Sequence, residues 1–428
     1  MTKVKKNYCQ SGIASVAMVL VIMSIAMLVV ASKSFVTVNS EKIKRNVLRS
    51  LESYYNAESG IEDALLRITN SGYTYGASNT FNLNGGTVVT TVSQSGRVRT
   101  VVAEGKIGTA VRKVEVSLST RNSGSGSFKY GAQIGAGGLT MRNNSKIIGN
   151  VYSAGNILAI NSPEITGDAW VAGANSIQDF DSIGIGVDVH ANTIKKCVIG
   201  RDAYYQNISG STVVVTSYPA SPDPPVEALP ITLTQINNWK IEAETGGELA
   251  GYLLDSSEKG FLGPKKIAGD MNIINSAVLT LTGTVWVTGN VNFANNAAMQ
   301  LSPLYGDASG VLIADGVITV NNNFYICGSE GFNGATCNAP TESFILVLST
   351  NVGASAILMQ NGTALRAVMY TSNGTLALEN NVRVVEATAY AMTIKNNVQV
   401  IYDSGLINLQ FSAGPGGTWD IRTWKEIE

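Results

Sequence analysis

The sequence has little charge and only one histidine, and both shortages limit what the protein can do. Charged residues make up 14% of the 428 residues, and 30 Lys and Arg balance 31 Asp and Glu. A near-zero net charge argues against a nucleic-acid partner bound through bulk charge. A catalytic triad or a histidine-based metal site has only His190 to start from. We therefore expect no catalytic, cofactor-binding or metal-binding residues, and no cofactor.

Cysteine is also scarce. The four cysteines are Cys9, Cys197, Cys327 and Cys337. The last two bracket a glycine-containing loop at residues 328–336. A disulfide between Cys327 and Cys337 would suit an oxidising exterior, and two free thiols are the alternative.

Charge and proline are both absent from residues 13–32, a run of 20 residues. A helix of that length crosses a hydrocarbon core of roughly 30 Å. Lys3, Lys5 and Lys6 precede the run, which predicts a single-pass membrane protein with a cytoplasmic N-terminus and its bulk outside. A secretory signal peptide would have a shorter apolar core, followed by an unrelated mature domain.

The helical pattern continues beyond the apolar run. No proline occurs before Pro163. Apolar residues recur at steps of three or four, with charged residues mostly on the other faces, which is typical of an amphipathic helix. The sequence therefore predicts one continuous helix over residues 13–68. Its apolar stripe consists of Ile43, Val47, Leu51, Tyr54, Ala57, Ile61, Leu65 and Ile68.

This N-terminal region resembles a type IV prepilin. A basic leader ends in Ser11-Gly12, an apolar helix follows at once, and the helix then becomes amphipathic. Residues 54–68, with Ala57-Glu58-Ser59-Gly60, are similar to the corresponding stretch of PilX-type minor pilins. The resemblance covers about the first seventy residues. It implies cleavage by a prepilin peptidase between Gly12 and Ile13, and it implies the membrane and other pilin-like subunits as partners.

The sequence departs from the family at one position. Many pilins carry a glutamate at the fifth mature residue, where this chain has Ala17. That glutamate pairs with the amine of a neighbouring subunit in the family, and a carboxylate in lipid is kept only where it has a partner. We therefore expect a tip or initiating subunit, or a membrane protein that never polymerises.

The rest of the chain alternates and repeats. Residues 71–122 contain alternating apolar strands separated by glycine turns, which predicts an antiparallel sheet against the helix. The composition of residues 122–127 indicates a flexible linker. Glycine-centred units and Asn pairs then recur, and short strands with such corners favour a parallel β-helix with stacked Asn ladders. A β-sandwich is the alternative. The recurring Asn pairs lie at 143–144, 295–296, 322–323, 380–381 and 396–397.

The predicted fold class is mainly β. A long N-terminal helix, first transmembrane and then amphipathic, carries an antiparallel sheet and is followed by the β-helix-like regions. At about 4.8 Å per coil, we expect one column of about five coils at 128–215 and another of about eight at 264–411. Trp419 and Trp424 are expected to cap the second column.

The predicted domains are a leader at 1–12, the helix at 13–70, the sheet at 71–122, a first β-helix-like region at 128–215, a Pro-rich linker at 216–232, and, at 233–428, a short helix, a second β-helix-like region and a C-terminal cap.

Aspartates provide the main hint of enzymatic chemistry. Asp168, Asp188, Asp202 and Asp270 follow repeat glycines. Paired carboxylates could act on polysaccharides. Asn occupies the same place in other repeats, which indicates a turn role instead.

We predict a non-enzymatic pilin-like surface component acting in fibre assembly, structure or adhesion, with surface glycans as a candidate partner. The alternatives are an envelope-tethered polysaccharide-acting enzyme and an unprocessed membrane-anchored structural protein.

Overall fold

The computed structural model describes residues 11–69, 78–95, 98–120, 122–182, 184–338, 342–362, 364–414 and 419–427. The fold is mainly β, with one long N-terminal helix and both antiparallel and parallel sheets, as predicted. Helix α1 runs unbroken over Ser11–Thr69, because the segment contains no proline that would remove a backbone hydrogen bond. This confirms the predicted continuous helix.

An antiparallel sheet packs on the second half of α1. Its strands are β1 (Ser78–Leu83), β2 (Gly86–Ser95), β3 (Val98–Ile107), β4 (Ala110–Thr120) and the C-terminal strand Trp419–Ile427, in that order. The C-terminal strand pairs with β4, with Trp424 opposite Val116. The expected cap formed by Trp419 and Trp424 is therefore wrong. The edge of β4 offers this strand a full row of backbone partners. We call α1 from residue 50 onwards, together with this sheet, the head.

The head depends on a close approach between helix and sheet. Ala57 and Ile61 are fully buried against Val101 and Val116. A Cβ atom on Gly60 would lie 2.6 Å from Cγ1 of Val88, which is too close for any larger residue without movement. A Cβ on Gly105 would overlap the Ser53 carbonyl of α1. The Ala57–Gly60 spacing of the sequence motif thus places two small residues on the helix face that contacts the sheet.

The described residues of 132–219 and 248–401 form a three-sided, β-helix-like column of parallel strands, which we call the column. Each coil passes from the first face to the second and then to the third, with its apolar residues inward. Strands that span the first and second faces are Ala132–Arg142, Val189–Lys195, Ala203–Ser209, Ala367–Glu379 and Glu386–Lys395. First-face strands are Val151–Ser153, Ala169–Val171, Ser217–Pro219, Glu248–Leu249, Lys265–Ile267, Val285–Val287, Gly310–Ala314 and Ile345–Ser349. Second-face strands are Ile157–Ile160, Ser176–Gln178, Tyr252–Leu254, Met271–Ile273, Val291–Phe293, Ile318–Val320 and Ile357–Gln360.

The third face is a separate sheet of 12 parallel strands. Its strands are Lys146–Ile148, Glu164–Ile165, Gly184–Ile185, Val198–Ile199, Thr212–Val213, Lys259–Leu262, Val278–Leu281, Ala298–Leu301, Tyr325–Cys327, Ala364–Leu365, Arg383–Val384 and Gln399–Ile401. Short 3₁₀ helices, Pro303–Tyr305 and Ser404–Asn408, lie outside the three faces.

The two repetitive regions stack on each other as one column, where the sequence analysis expects two. The last coil of the second region pairs in parallel with the first coil of the first region, through Glu386–Lys395 on Ala132–Arg142 and Gln399–Ile401 on Lys146–Ile148. The third face accordingly runs without interruption from Thr212–Val213 to Lys259–Leu262. The exposed backbone edges of the two regions satisfy each other, which removes two open column ends.

Asparagine ladders run along one corner of the column, as predicted. Asn residues there adopt the left-handed backbone conformation, for example φ 60° at Asn295, which Asn tolerates better than most residues. Each side-chain amide donates to the side-chain oxygen (Oδ1) of the residue one coil away. The ladder crosses the junction between the two regions. Its members in order are Asp255, Asn275, Asn295, Asn322, Asn361, Asn380, Asn396, Asn143 and Asn161.

A connector returns the chain from one end of the column to the other. Residues 220–232, followed by helix α2 (Leu233–Glu244), lie along the first face. The Oγ1 of Thr232 caps α2 by accepting from the Gln235 amide at 3.2 Å. The connector touches successive coils. Its contacts in order are Ser221 with Tyr205, Asp223 with Asn192, Pro224 with Gly173, Pro225 with Tyr152, Ala228 with Gln133, Ile231 with Tyr370, and Glu242 with Thr284.

The column is inserted into the head between β4 and the C-terminal strand. The chain enters through Asn122–Gly126 and leaves through Leu409–Ser412, and these two strands pair antiparallel. The expected flexible linker at 122–127 is therefore a strand over most of its length. Its Gly and Ser residues carry little strand preference of their own, and a partner nearly 300 residues away supplies the hydrogen bonds.

Candidate interaction surfaces

The first half of α1 presents bare apolar side chains. Met18, Leu28 and Val36 are all more than 60% exposed. Residues 15–68 contain a window of mean hydropathy 2.6, so this helix is long and apolar enough to cross a membrane. It is the one such helix among the residues described. The expected cleavage site lies at the start of this helix, because Gly12 and Ile13 are in its first turn. Lys3, Lys5, Lys6 and Cys9, which precede it in the sequence, lie outside the described residues. Cleavage there stays a prediction.

An open groove of about 640 Å³ lies where α1 leaves the head. Its helical wall includes Val47 and Leu51, exposed at 60% and 46%, so the apolar stripe continues below the head without a partner. Arg112 forms the opposite wall. It donates to Ser50 Oγ and to Glu426 Oε1, each at 2.8 Å, and so links α1 to the C-terminal strand. The predicted stripe is thus buried in its upper part and open in its lower part.

Cys327 and Cys337 are joined by a disulfide at one edge of the column. Cys327 ends a third-face strand and is fully buried. Phe332 and Cys337 form an antiparallel bridge, so the loop folds back onto the coil that carries it. Cys197 is free and buried within the column, and burial raises the pKa of its thiol to about 11.

The recurring aspartates line the corner before the first face. Asp168 Oδ1 accepts from the Asp188 amide at 3.2 Å, Asp188 Oδ1 from the Asp202 amide at 3.1 Å, and Asp202 Oδ1 from the Thr216 amide at 2.9 Å. Asn150 and Asp270 do the same in their coils. Each side chain therefore satisfies the backbone of the next coil. Among the described residues no group of three or more His, Cys, Asp or Glu could hold a metal ion.

Beside this corner, four aromatic rings stack along the first face. We call Trp170, His190, Tyr204 and Tyr218 the aromatic ladder. The ring centroids are 3.7, 4.2 and 4.6 Å apart, and the planes are within 7° of parallel. Parallel strand pairing sets this order, because each ladder residue lies opposite the next across neighbouring strands. Burial lowers the pKa of His190, an effect that Asp188 and Asp168 oppose.

Sequence reasoning missed the ladder, although a signal for it exists. An aromatic residue stands two positions after the corner residue in five consecutive repeats. The pairs are Asn150 and Tyr152, Asp168 and Trp170, Asp188 and His190, Asp202 and Tyr204, and Thr216 and Tyr218. The glycine units alone do not reveal this second period, and a single histidine such as His190 gives no sign of a ladder by itself.

Comparisons with known proteins give little further constraint. The chain is similar to the crystal structure of the competence-associated pilin ComZ from Thermus thermophilus, at 11% identity over 89% of this chain and 97% of that chain, with a TM-score of 0.26. A score that low carries no argument about fold or function. No family model and no curated protein matches the chain.

Proposed function

We propose that this protein is a pilin-like surface component that is anchored in the membrane before assembly into a fibre. One observation carries the proposal: a single 59-residue helix is bare and apolar at its base, while its upper half is covered by an antiparallel sheet. The base would lie in lipid and later against other helices. The open groove at Val47 and Leu51 would continue that contact surface above the membrane.

The column supports a position at the tip of such a fibre. Its third face has 12 strands, one from each coil. At about 4.8 Å per coil, the column is therefore roughly 58 Å long. An insertion of that size is difficult to repeat side by side along a shaft. Ala17, in place of the family's glutamate, leaves no carboxylate to pair with a subunit below. Both features favour a subunit that begins a fibre or ends it.

We further propose that the protein is not an enzyme. The recurring carboxylates, which are the groups that a polysaccharide hydrolase would need, have a structural use at the coil corner. Asp188 in addition accepts from Arg201 Nε at 2.7 Å, and the adjacent guanidinium lowers its pKa. A carboxylate held ionised in this way is poorly suited to donate a proton as a general acid.

Processing is the direct test. The full chain, expressed with a prepilin peptidase, should yield a mature N-terminus at Ile13 by sequencing and intact mass. Gly12→Val should abolish cleavage, because the resemblance assigns Gly12 as the last leader residue, and Ser11→Ala should retain it. An unprocessed Met1 terminus in the wild type would instead favour a permanently membrane-anchored structural protein. Ala17→Glu should increase incorporation along fibres if the protein is a tip subunit.

A further inference from the structure

We propose that the aromatic ladder is a binding site for a neutral glycan chain lying along the first face of the column. The inference rests on the proposed function in one respect, that this face is presented outside the cell. It adds the site and the chemical class of the ligand.

The polar atoms of the ladder have no hydrogen-bond partner in the described part of the chain. Among the described residues, no hydrogen bond joins the Trp170 indole N–H, the His190 ring nitrogens or the Tyr204 and Tyr218 hydroxyls to another group. Other aromatic residues of the same face are engaged: the Tyr152 hydroxyl donates to Pro225 O at 3.0 Å, and the Tyr370 hydroxyl donates to Ile231 O at 2.9 Å. The connector that satisfies those residues runs beside the ladder.

The ladder lies between two polar elements. On one side is the corner row of Asp168, Asp188 and Asp202, each two residues before a ladder residue. On the other side is the connector, where Asp223 accepts a hydrogen bond from Asn192 Nδ2 at 3.1 Å. Donors and acceptors that recur once per coil suit a ligand with repeated hydroxyl groups. A neutral imidazole at His190 can both donate and accept.

The charge beside the ladder selects among glycans. Asp168, Asp188 and Asp202 outnumber Arg201, which pairs with Asp188 and Asp202, so this row carries a net negative charge. A polyanion would meet that net negative charge, and like charges repel. Hydroxyl groups can instead donate to carboxylate oxygens, in charge-assisted hydrogen bonds. The site therefore favours a neutral glycan over an acidic polysaccharide or a nucleic acid.

The end of the ladder offers a ring face as well as ring edges. Within the ladder each ring covers the face of the next, so the middle rings present edges and polar atoms. Tyr218 is the last ring, stacks only on Tyr204 among the described aromatics, and is 41% exposed. Val215 next to this end is 64% exposed. A sugar ring stacking on Tyr218 would continue the ladder by one step.

The test uses the purified full chain in detergent and a panel of neutral hexasaccharides, namely cello-, chito- and maltohexaose, with hexagalacturonate and a heparin hexasaccharide as anionic probes. We expect saturable binding of at least one neutral probe by calorimetry, with a change in tryptophan fluorescence. Tyr204→Phe/Tyr218→Phe keeps the stack and removes two hydroxyls. Each lost hydrogen bond is expected to weaken binding roughly three- to tenfold. Tyr218→Ala should weaken it further.

Tyr390→Ala is the matched control, because Tyr390 is 45% exposed on the same column but outside the ladder. It should leave affinity unchanged. Circular dichroism of each variant checks that the column is folded. No binding of any neutral probe, preference for the anionic probes, or neutral binding insensitive to the ladder variants would each overturn the proposal. Because the assay needs neither cleavage nor fibres, its result is independent of the processing test.

Discussion

The head and the column are stabilised in different ways. The head is one sheet packed on one helix. Its core is the interface between them, where Gly60 of the helix and Gly105 of the sheet allow the two elements to approach closely. The column repeats the same small contact coil after coil, through inward apolar residues and corner ladders. A defect in the head should therefore affect the whole of it, whereas a defect in the column should remain local, as expected for a solenoid in which each coil contacts only its neighbours.

The largest effect is expected from Gly105→Ala. The new methyl group would meet the Ser53 carbonyl, a backbone atom that cannot rotate away, so α1 must move off the sheet. We expect a loss of about 3 kcal/mol from the head. Amide hydrogen exchange should then be roughly a hundredfold faster in β2 to β4 and unchanged in the column. Lys106→Ala, at an exposed neighbouring position, should change neither region.

If Gly105→Ala accelerated exchange equally in the column, the two regions would unfold as one unit, and the comparison would fail. The shared strands Asn122–Gly126 and Leu409–Ser412 are where such coupling would arise.

The next effect concerns Glu386, which lies at the junction within the column. The side chain is fully buried, Oε1 accepts from Thr388 Oγ1 at 2.6 Å, and Oε2 has no hydrogen-bond partner. Burial raises the pKa of this carboxyl well above its ordinary value. The folded state keeps the proton while the unfolded state releases it. Stability therefore falls as pH rises above the unfolded pKa, with a slope of up to about 1.4 kcal/mol per pH unit.

Glu386→Gln removes the titration and should remove this slope. Denaturant unfolding from pH 4 to pH 8 should show equal stability of variant and wild type at the acid end, and a more stable variant at the alkaline end. Glu62→Gln, at an exposed site on α1, should follow the wild type. A Glu386→Gln variant whose stability followed that of the wild type at every pH would contradict the assignment.

The smallest effect is expected from the Asn ladder. Asn396 donates to Asn380 Oδ1 and accepts from Asn143 Nδ2, each at 2.7 Å. Asn396→Gly keeps the left-handed backbone accessible and removes both bonds, at a cost of about 1 kcal/mol. Exchange should accelerate only in the two coils that meet at the junction. Asn161→Gly, at the end of the ladder, removes one bond and should cost about half as much.

Sequence patterns were sufficient for the local elements. The continuous helix follows from an apolar run and a 3.6-residue stripe with no proline, and the coil corners follow from Asn pairs that tolerate positive φ. These features depend on residues close together in the chain, so a pattern can reveal them.

Chain-distant pairings were beyond the reach of such patterns. Nothing in residues 419–427 indicates that they pair with β4 rather than cap a coil, because any strand with free backbone groups fits an open edge. The union of two repeat regions into one column, and the stacking of Trp170, His190, Tyr204 and Tyr218, depend on register across coils. The amino-acid sequence thus determined the helix, the strands and the corners, whereas the tertiary structure alone decided which edges meet, because backbone hydrogen bonding is nearly indifferent to side-chain identity.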